Sequence, residues 1–295
     1  MGSTIRTRAD KAADICIIIL LSLCALAALF PLYYVVIMSM TPITEVLRSG
    51  GFVLLPREVT FVAYRELFAS PRIPNALLVS VTVTVVGTAL SLAVSALLAY
   101  PLSKAFVLGR NFFLMAIVFT MLFNGGLIPT YLVIYHLQLY NTLWALILPG
   151  MLSTFNLLVM KTYFENLPAE LEEAARVDGC GEIRTLLQIV LPLSLPILAT
   201  LGLFYGVAFW NDYFKGLMYI SDTRLQPVQF VLRNMIQTPS VSQELGTLDP
   251  TALSQLPPET LKMAAVVVTT LPIFMVYPFL QKYFVKGMLI GAVKG

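Results

Sequence analysis

Of 295 residues, 58% are hydrophobic and only 12% charged, and the mean hydropathy is +0.83, which excludes an ordinary soluble domain. A net charge of +3, dispersed along the chain, gives no footprint for nucleic acid. Three cysteines exclude a disulfide framework: Cys16 and Cys24 fall in the first apolar run and Cys180 in a polar segment, where they read as small hydrophobes.

Residues 1–14 carry Arg6, Arg8 and Lys11 and precede a charge-free run to Met40. That run exceeds the apolar core of a signal peptide, so about 15–40 is predicted to be a first membrane helix, with its N-terminus in the cytoplasm and a kink at Pro31. A polar connection follows, in which Thr60–Ala69 reads as a short amphipathic helix along the outer surface. The second span, about 76–102, is rich in Ser80, Thr84, Gly87, Ser91 and Ser95, small residues that suit close helix packing rather than lipid contact. Lys104 and Arg110 mark a short basic loop. The third span, about 112–136, is interrupted by Asn124-Gly125-Gly126 and Pro129. The break either lines a cavity at membrane depth or is a bend nearer the outer surface. The fourth span covers about 142–160.

The segment 161–192 is the one polar, helix-forming stretch among these runs. Pro168 is expected at the first helical position, acidic residues crowd the first turns, Arg176 comes late, and Gly179 is expected as a left-handed cap. Leu171, Ala174, Ala175 and Val177 are expected to form a narrow apolar face, and a second short helix is predicted over about 182–191, ended by Pro192 and Pro196. Two short helices joined by a glycine turn make a surface knob suited to a partner's groove. The fifth span, about 193–215, ends in Trp210-Asn211-Asp212. An ionisable residue at that depth is a functional candidate, against the alternative of an interfacial boundary anchored by Trp210 and Tyr213. A proline-punctuated loop, 221–262, is expected outside, and a sixth span, about 263–281, leads to a lysine-bearing tail. The short connections agree: Lys104, Arg110, Lys161, Arg176 and Arg184 fall on the cytoplasmic side with both termini, and the turn between spans three and four holds no cation.

The pattern Glu173-Ala174-Ala175, three residues, Gly179, nine residues, Ile189, one residue, Leu191-Pro192 resembles the cytoplasmic EAA loop of ABC-importer permeases. Glu165–Pro168, the Ala-Arg-Val-Asp-Gly run ending at Gly179, Trp-Asn-Asp and the tail Gly291-Ala292-Val293-Lys294-Gly295 are similar to the carbohydrate-uptake branch, the MalG-like subunits, along nearly the whole chain. Within that branch they resemble the subgroup for complex or acidic oligosaccharides such as alginate- or pectin-derived fragments. The resemblance implies an all-α, six-span type I importer permease of the bacterial inner membrane. Its implied partners are a second permease subunit in a heterodimer, two ATP-binding subunits, an external solute-binding protein, the oligosaccharide and membrane lipid. It implies that Glu173, Ala174, Ala175, Asp178, Gly179, Ile189, Leu191 and Pro192 dock an ATPase as a coupling helix. It further implies that the 221–262 loop enters the binding protein and that the tail reaches the ATPase dimer. The solute path is expected at Asn124, Trp210, Asn211 and Asp212.

No phosphate-binding glycine loop and no His/Cys/Glu cluster with metal-ligand spacing occurs, and His136 is the sole histidine. No cofactor is therefore expected on this chain; ATP and magnesium belong to the partner. An intramembrane enzyme lacks paired aspartates or a His-Glu-x-x-His motif, so the chain is expected to be a transport subunit without catalytic residues. A secondary transporter would show internal repeats and midplane charges and would leave the knob unexplained. Within ABC importers, a permease for a non-sugar solute is the alternative.

Overall fold

The computed structural model describes residues 8–237 and 258–292, and the fold is all-helical. Residues 238–257 of the loop expected outside over 221–262, residues 1–7 and the last residues, 293–295, lie outside the described residues. Contacts divide the chain into two compact units, Met1–Ser70 with Met235–Val268, and Pro71–Asn234 with Thr269–Gly295.

In the first unit, α1 (Arg8–Ser39) runs unbroken through Pro31, and none of its most apolar window, within Ala13–Ser39, is buried in the chain. Beyond its end the backbone folds into α2 (Ile43–Arg48) and α3 (Val62–Ala69), the short helix expected over Thr60–Ala69. Met38, Val46 and Val53 form a small core with Tyr34, Ile37 and Met263. Polar ties pin the loop to the end of α1: the Tyr33 hydroxyl donates to the Leu54 carbonyl at 2.7 Å, and Tyr34 stacks on Phe52. The Glu45 carboxylate accepts from the backbone N–H groups of Arg57 and Glu58.

The second unit is built around α4 (Arg72–Ser103), which packs on α8 (Thr154–Glu165) and α12 (Leu195–Trp210). Its small residues permit this. A Cβ placed on Gly87 would sit 2.8 Å from the Phe209 ring of α12, and Gly202 and Gly206 of α12 face Thr88 and its neighbours. Towards one end of the seam the core is Ala99, Tyr100, Leu157, Met160, Phe164 and Leu201; towards the other it is Val79, Val83, Leu146, Tyr205 and Phe209. The Tyr205 hydroxyl joins three elements, bonding the Ser95 hydroxyl at 2.9 Å and accepting from the Ser153 N–H at 3.2 Å. Thus the small polar face expected on the second span is the buried one.

Two of the expected spans are bent pairs, and the fifth forms a third bent pair with the knob segment before it, Glu182–Leu193. Helices α5 (Arg110–Leu122) and α6 (Leu127–His136) meet at 113°, where Gly126 takes φ +92° and its N–H bonds the Asn124 side chain; Pro129 falls in the first turn of α6, where its missing donor costs nothing. Helix α7 (Leu143–Ile147), a 3₁₀ turn over Leu148–Gly150, and α8 are bent by 54°, and α8 runs past the expected end at 160 to Glu165. The i,i+4 pair Lys161–Glu165 supports that last turn, a reason the boundary falls later than hydropathy alone places it. The third bend, 83°, falls at Ser194 between Pro192 and Pro196, before α12. Among the described residues, three helices are long and apolar enough to cross a membrane unbroken, and up to six spans result when each bent pair is one. Helix α12 ends at Trp210 rather than 215, α13 (Phe214–Tyr219) and α14 (Val228–Gln237) follow, and the final helix, α15 (Pro258–Ala292), is longer than expected at both ends.

Candidate functional site

Helix α9 (Ala169–Val177) is the centre of the polar knob. Pro168 is the cap before it rather than its first residue, with extended ψ (123°). Glu170 and Glu172 occupy the first turn and Arg176 the last, complementing the helix dipole. At the far end Gly179 stands at φ +79°. The Cys180 N–H reaches the Ala175 carbonyl and the Gly179 N–H the Arg176 carbonyl, a paired cap that closes the helix. The second segment begins as α10 (Glu182–Thr185), widens into a π turn over Leu186–Val190 and ends as α11 (Leu191–Leu193). The extra residue per turn breaks the regular helix expected over 182–191.

The expected docking residues do not share one surface. Glu173, Ala174, Asp178, Gly179 and Pro192 are exposed, and Ile189 and Leu191 are half-buried. Ala175 is turned inward, and so is Glu172, three residues before it on the same helix face. The apolar face expected from Leu171, Ala174, Ala175 and Val177 is therefore split. Its outward part is Leu171, Ala174 and Val177, and on the second segment Ile183 and Leu187 are exposed as well; Val177 is 88% exposed and Ile183 71%. These two were legible as large apolar residues on a polar segment.

Sequence reading missed what the inward face meets. Lys104, the residue that caps α4, forms a salt bridge of 2.5 Å with Glu172, both side chains nearly buried. The Tyr100 hydroxyl of α4 donates to Glu182 at 2.8 Å, and Arg176 bonds the other oxygen of Glu182 at 3.2 Å while lying over the Phe106 ring. On the opposite side of the 103–110 loop, Arg110 pairs with Glu165 and donates to the Leu102 carbonyl. An open groove bordered by Lys104, Phe106, Leu167, Glu173 and Arg176 runs beside α9.

The second set of candidates is dispersed. Asn124 is exposed in the α5–α6 turn. Asn211 is exposed and its amide donates to the Val207 carbonyl. Trp210, expected on a solute path, is instead buried, its indole N–H without a hydrogen-bond partner among the described residues. Asp212 pairs with Lys215 at 2.7 Å and also accepts the Lys215 backbone N–H. Lys215, overlooked in the sequence, lies three residues on in the first turn of α13, just after Asp212. No hydrogen bond or ion pair among the described residues joins Asn124 to the 210–212 turn.

The family model described as "binding-protein-dependent transport system inner membrane component" matches residues 1–290. The protein LplC of Bacillus subtilis is 45% identical over 290 residues, covering 98% of this chain and 97% of its own. The polygalacturonan/rhamnogalacturonan transport system permease protein YtcP of the same organism is 45% identical over 272 residues, 92% and 94% of the two chains. Among solved structures, a bacterial ABC transporter involved in import of the acidic polysaccharide alginate superposes with a TM-score of 0.89 at 32% identity, covering 96% of this chain and all of the other.

Proposed function

Because this chain belongs to the binding-protein-dependent inner membrane components, the multi-pass permease subunits of ABC importers, we propose that it carries complex or acidic oligosaccharides of the kind released from pectin or alginate. The solutes of two similar proteins, polygalacturonan with rhamnogalacturonan and alginate, share carboxylate-bearing sugars, and that common chemistry supports the reading. The working assembly pairs this chain with a different permease subunit, two ATP-binding subunits and an external binding protein. Both termini, the 103–110 loop and the knob lie in the cytoplasm.

The observation that carries the coupling role is the knob itself: a capped polar helix presenting Glu173, Ala174, Val177, Asp178 and Gly179, with Ile183 and Leu187 alongside, on an otherwise membrane-embedded chain. Large apolar residues so exposed on a polar element mark a contact surface. The knob docks in a cleft of the ATPase, with Ala174 and Gly179 permitting close approach and Glu173 meeting a basic group there. Ala175, Ile189 and Leu191 hold the knob's shape from within, and Pro192 marks its exit. ATP closes the ATPase pair, the knob follows, and the membrane helices shift between inward- and outward-facing arrangements. For the solute path, the exposed amides of Asn124 and Asn211 suit sugar hydroxyls, whereas Trp210 and Asp212 serve from behind.

The test is extraction of the chain from its native membrane in mild detergent, with co-purifying proteins identified by mass spectrometry. The expected result is a second permease, an ATPase and a binding protein that takes up oligogalacturonate or oligoalginate in calorimetry. A chain recovered without an ATPase would overturn the coupling role, and a binding protein that takes only neutral sugars would overturn the acidic solute.

A further inference from the structure

The knob leaves α8 through the turn at 166–168 and continues into α12 through the 83° bend at Ser194, so two covalent routes lead from it into the membrane. The side chains build a third. Lys104 sits at the very end of α4, and its ammonium reaches Glu172 on the inward face of α9 while lying 4.8 Å from the centre of the Tyr100 ring. One turn earlier on α4, Tyr100 bonds Glu182 at the start of the second knob segment. Arg176 closes the circuit from α9 to Glu182 and rests on Phe106 of the loop that follows α4. Both limbs of the knob are therefore bolted to one helix end from which they are 68 and 82 residues distant in sequence.

Net stability is a poor explanation for such a device. A nearly buried ion pair is about neutral against a well-packed apolar pair of the same volume, because desolvation offsets the attraction; what it provides is a fixed partner and direction. The Arg176–Glu182 pair is about half exposed and adds little by itself. The position of the circuit is more telling. Helix α4 packs on both α8 and α12, so a displacement delivered to its end reaches the whole seam.

We propose that Lys104–Glu172 and Tyr100–Glu182 form a positioning strut that makes the knob and the end of α4 one moving body, so that the ATPase acts on α4 directly and not only through the chain's own turns. The inference rests on the proposed docking of the knob.

The experiment uses the complete importer in liposomes and measures solute uptake and ATP hydrolysis together. In Glu172→Gln and Lys104→Met, uptake per ATP hydrolysed falls about fivefold or more, the lower range of coupling between sites, while hydrolysis continues. The reversed pair, Lys104→Glu with Glu172→Lys, regains most of that loss. A pair that merely held the fold would lower the amount of assembled complex and leave the ratio unchanged in what assembles, which would overturn the strut. Should the charge variants fail to assemble, Tyr100→Phe removes one hydroxyl and keeps the ring; its ratio falls in the same direction, and an unchanged ratio there also overturns the proposal. Uptake by the unaltered complex that needs no ATP would overturn the importer mechanism, and the strut with it; ATP-driven uptake with one ratio across all variants would overturn the strut alone.

Discussion

At Gly179 the backbone takes φ +79°, a conformation that costs an L-residue about 1–2 kcal/mol, yet beyond its chain neighbours nothing among the described residues lies within 4 Å of where a Cβ would point. A side chain there meets open space but carries that backbone strain, so a functional loss beyond what the strain explains is attributed to whatever docks. Gly179→Asp is expected to insert normally and to lose uptake by about tenfold or more while the ATPase still hydrolyses; tenfold corresponds to about 1.4 kcal/mol of lost coupling, within the usual range between sites. Uptake and hydrolysis both at the unaltered level would remove the docking role. Gly179 was legible because one residue type and one capping geometry coincide. Glu172 was not, since a carboxylate on a solvated helix and one that turns inward to a lysine 68 positions earlier look alike in sequence. Asp212 lies between the two cases. Its partner Lys215 is three residues away, each side chain about one-fifth exposed, and a Cβ on Gly150 would sit 2.6 Å from the lysine ammonium. Asp212→Asn leaves that ammonium confined and uncompensated, a loss of about 1–2 kcal/mol after allowance for solvent. The check is thermal unfolding in detergent together with uptake. Adding Lys215→Met is expected to restore both; stability restored with uptake still absent would instead assign the carboxylate to the solute.

Among the elements, the seam between α4 and α12 is the one whose geometry follows most directly from composition. Small residues recur along α4 at helical spacing, and a membrane helix pair without a hydrophobic driving force gains its stability from close approach. The measure of that approach is Gly87, where Gly87→Leu would drive atoms into the Phe209 ring. Overpacking of this kind costs about 1–3 kcal/mol. The variant is expected to unfold at lower temperature in detergent, and Phe209→Leu in the same chain to recover part of the difference; an unchanged melting profile would mean the helices do not meet at Gly87. The bends were harder to read. Gly126 and Pro129 announce a break between α5 and α6, but no local signal sets its angle at 113°, since direction depends on what the two halves pack against. The π turn at Leu186–Val190 is likewise invisible to a regular 3.6-residue count. Leu186 and Val190 in the core and Ile183 and Leu187 outside still keep the four-residue spacing of a helix face.

For the whole molecule the sidedness of the knob depends on an integer, the number of crossings before it. With α1, α4, the α5–α6 pair and the α7–α8 pair each crossing once, an N-terminus inside places Val177 inside and Tyr135 outside. The distribution of cations fits this count, since the turn at 137–142 holds none while Lys104, Arg110, Arg176 and Arg184 would fall on the inner side. The 113° bend is where this count is most exposed to error. Helix α5 has 13 residues, about 20 Å of rise, short of the roughly 30 Å hydrocarbon core, so the pair must cross as a broken span or turn back. Turning back would put Tyr135 inside and, one crossing later, Val177 outside, reversing both at once. Single cysteines at these two exposed positions, in a chain with Cys16, Cys24 and Cys180 replaced by serine, separate the arrangements with a membrane-impermeant maleimide. Tyr135→Cys is expected to label in intact cells and Val177→Cys only after permeabilisation. The opposite pattern would make the α5–α6 pair re-entrant and place the knob where no ATPase could reach it, so one labelling experiment tests the path of the chain and the direction of coupling together.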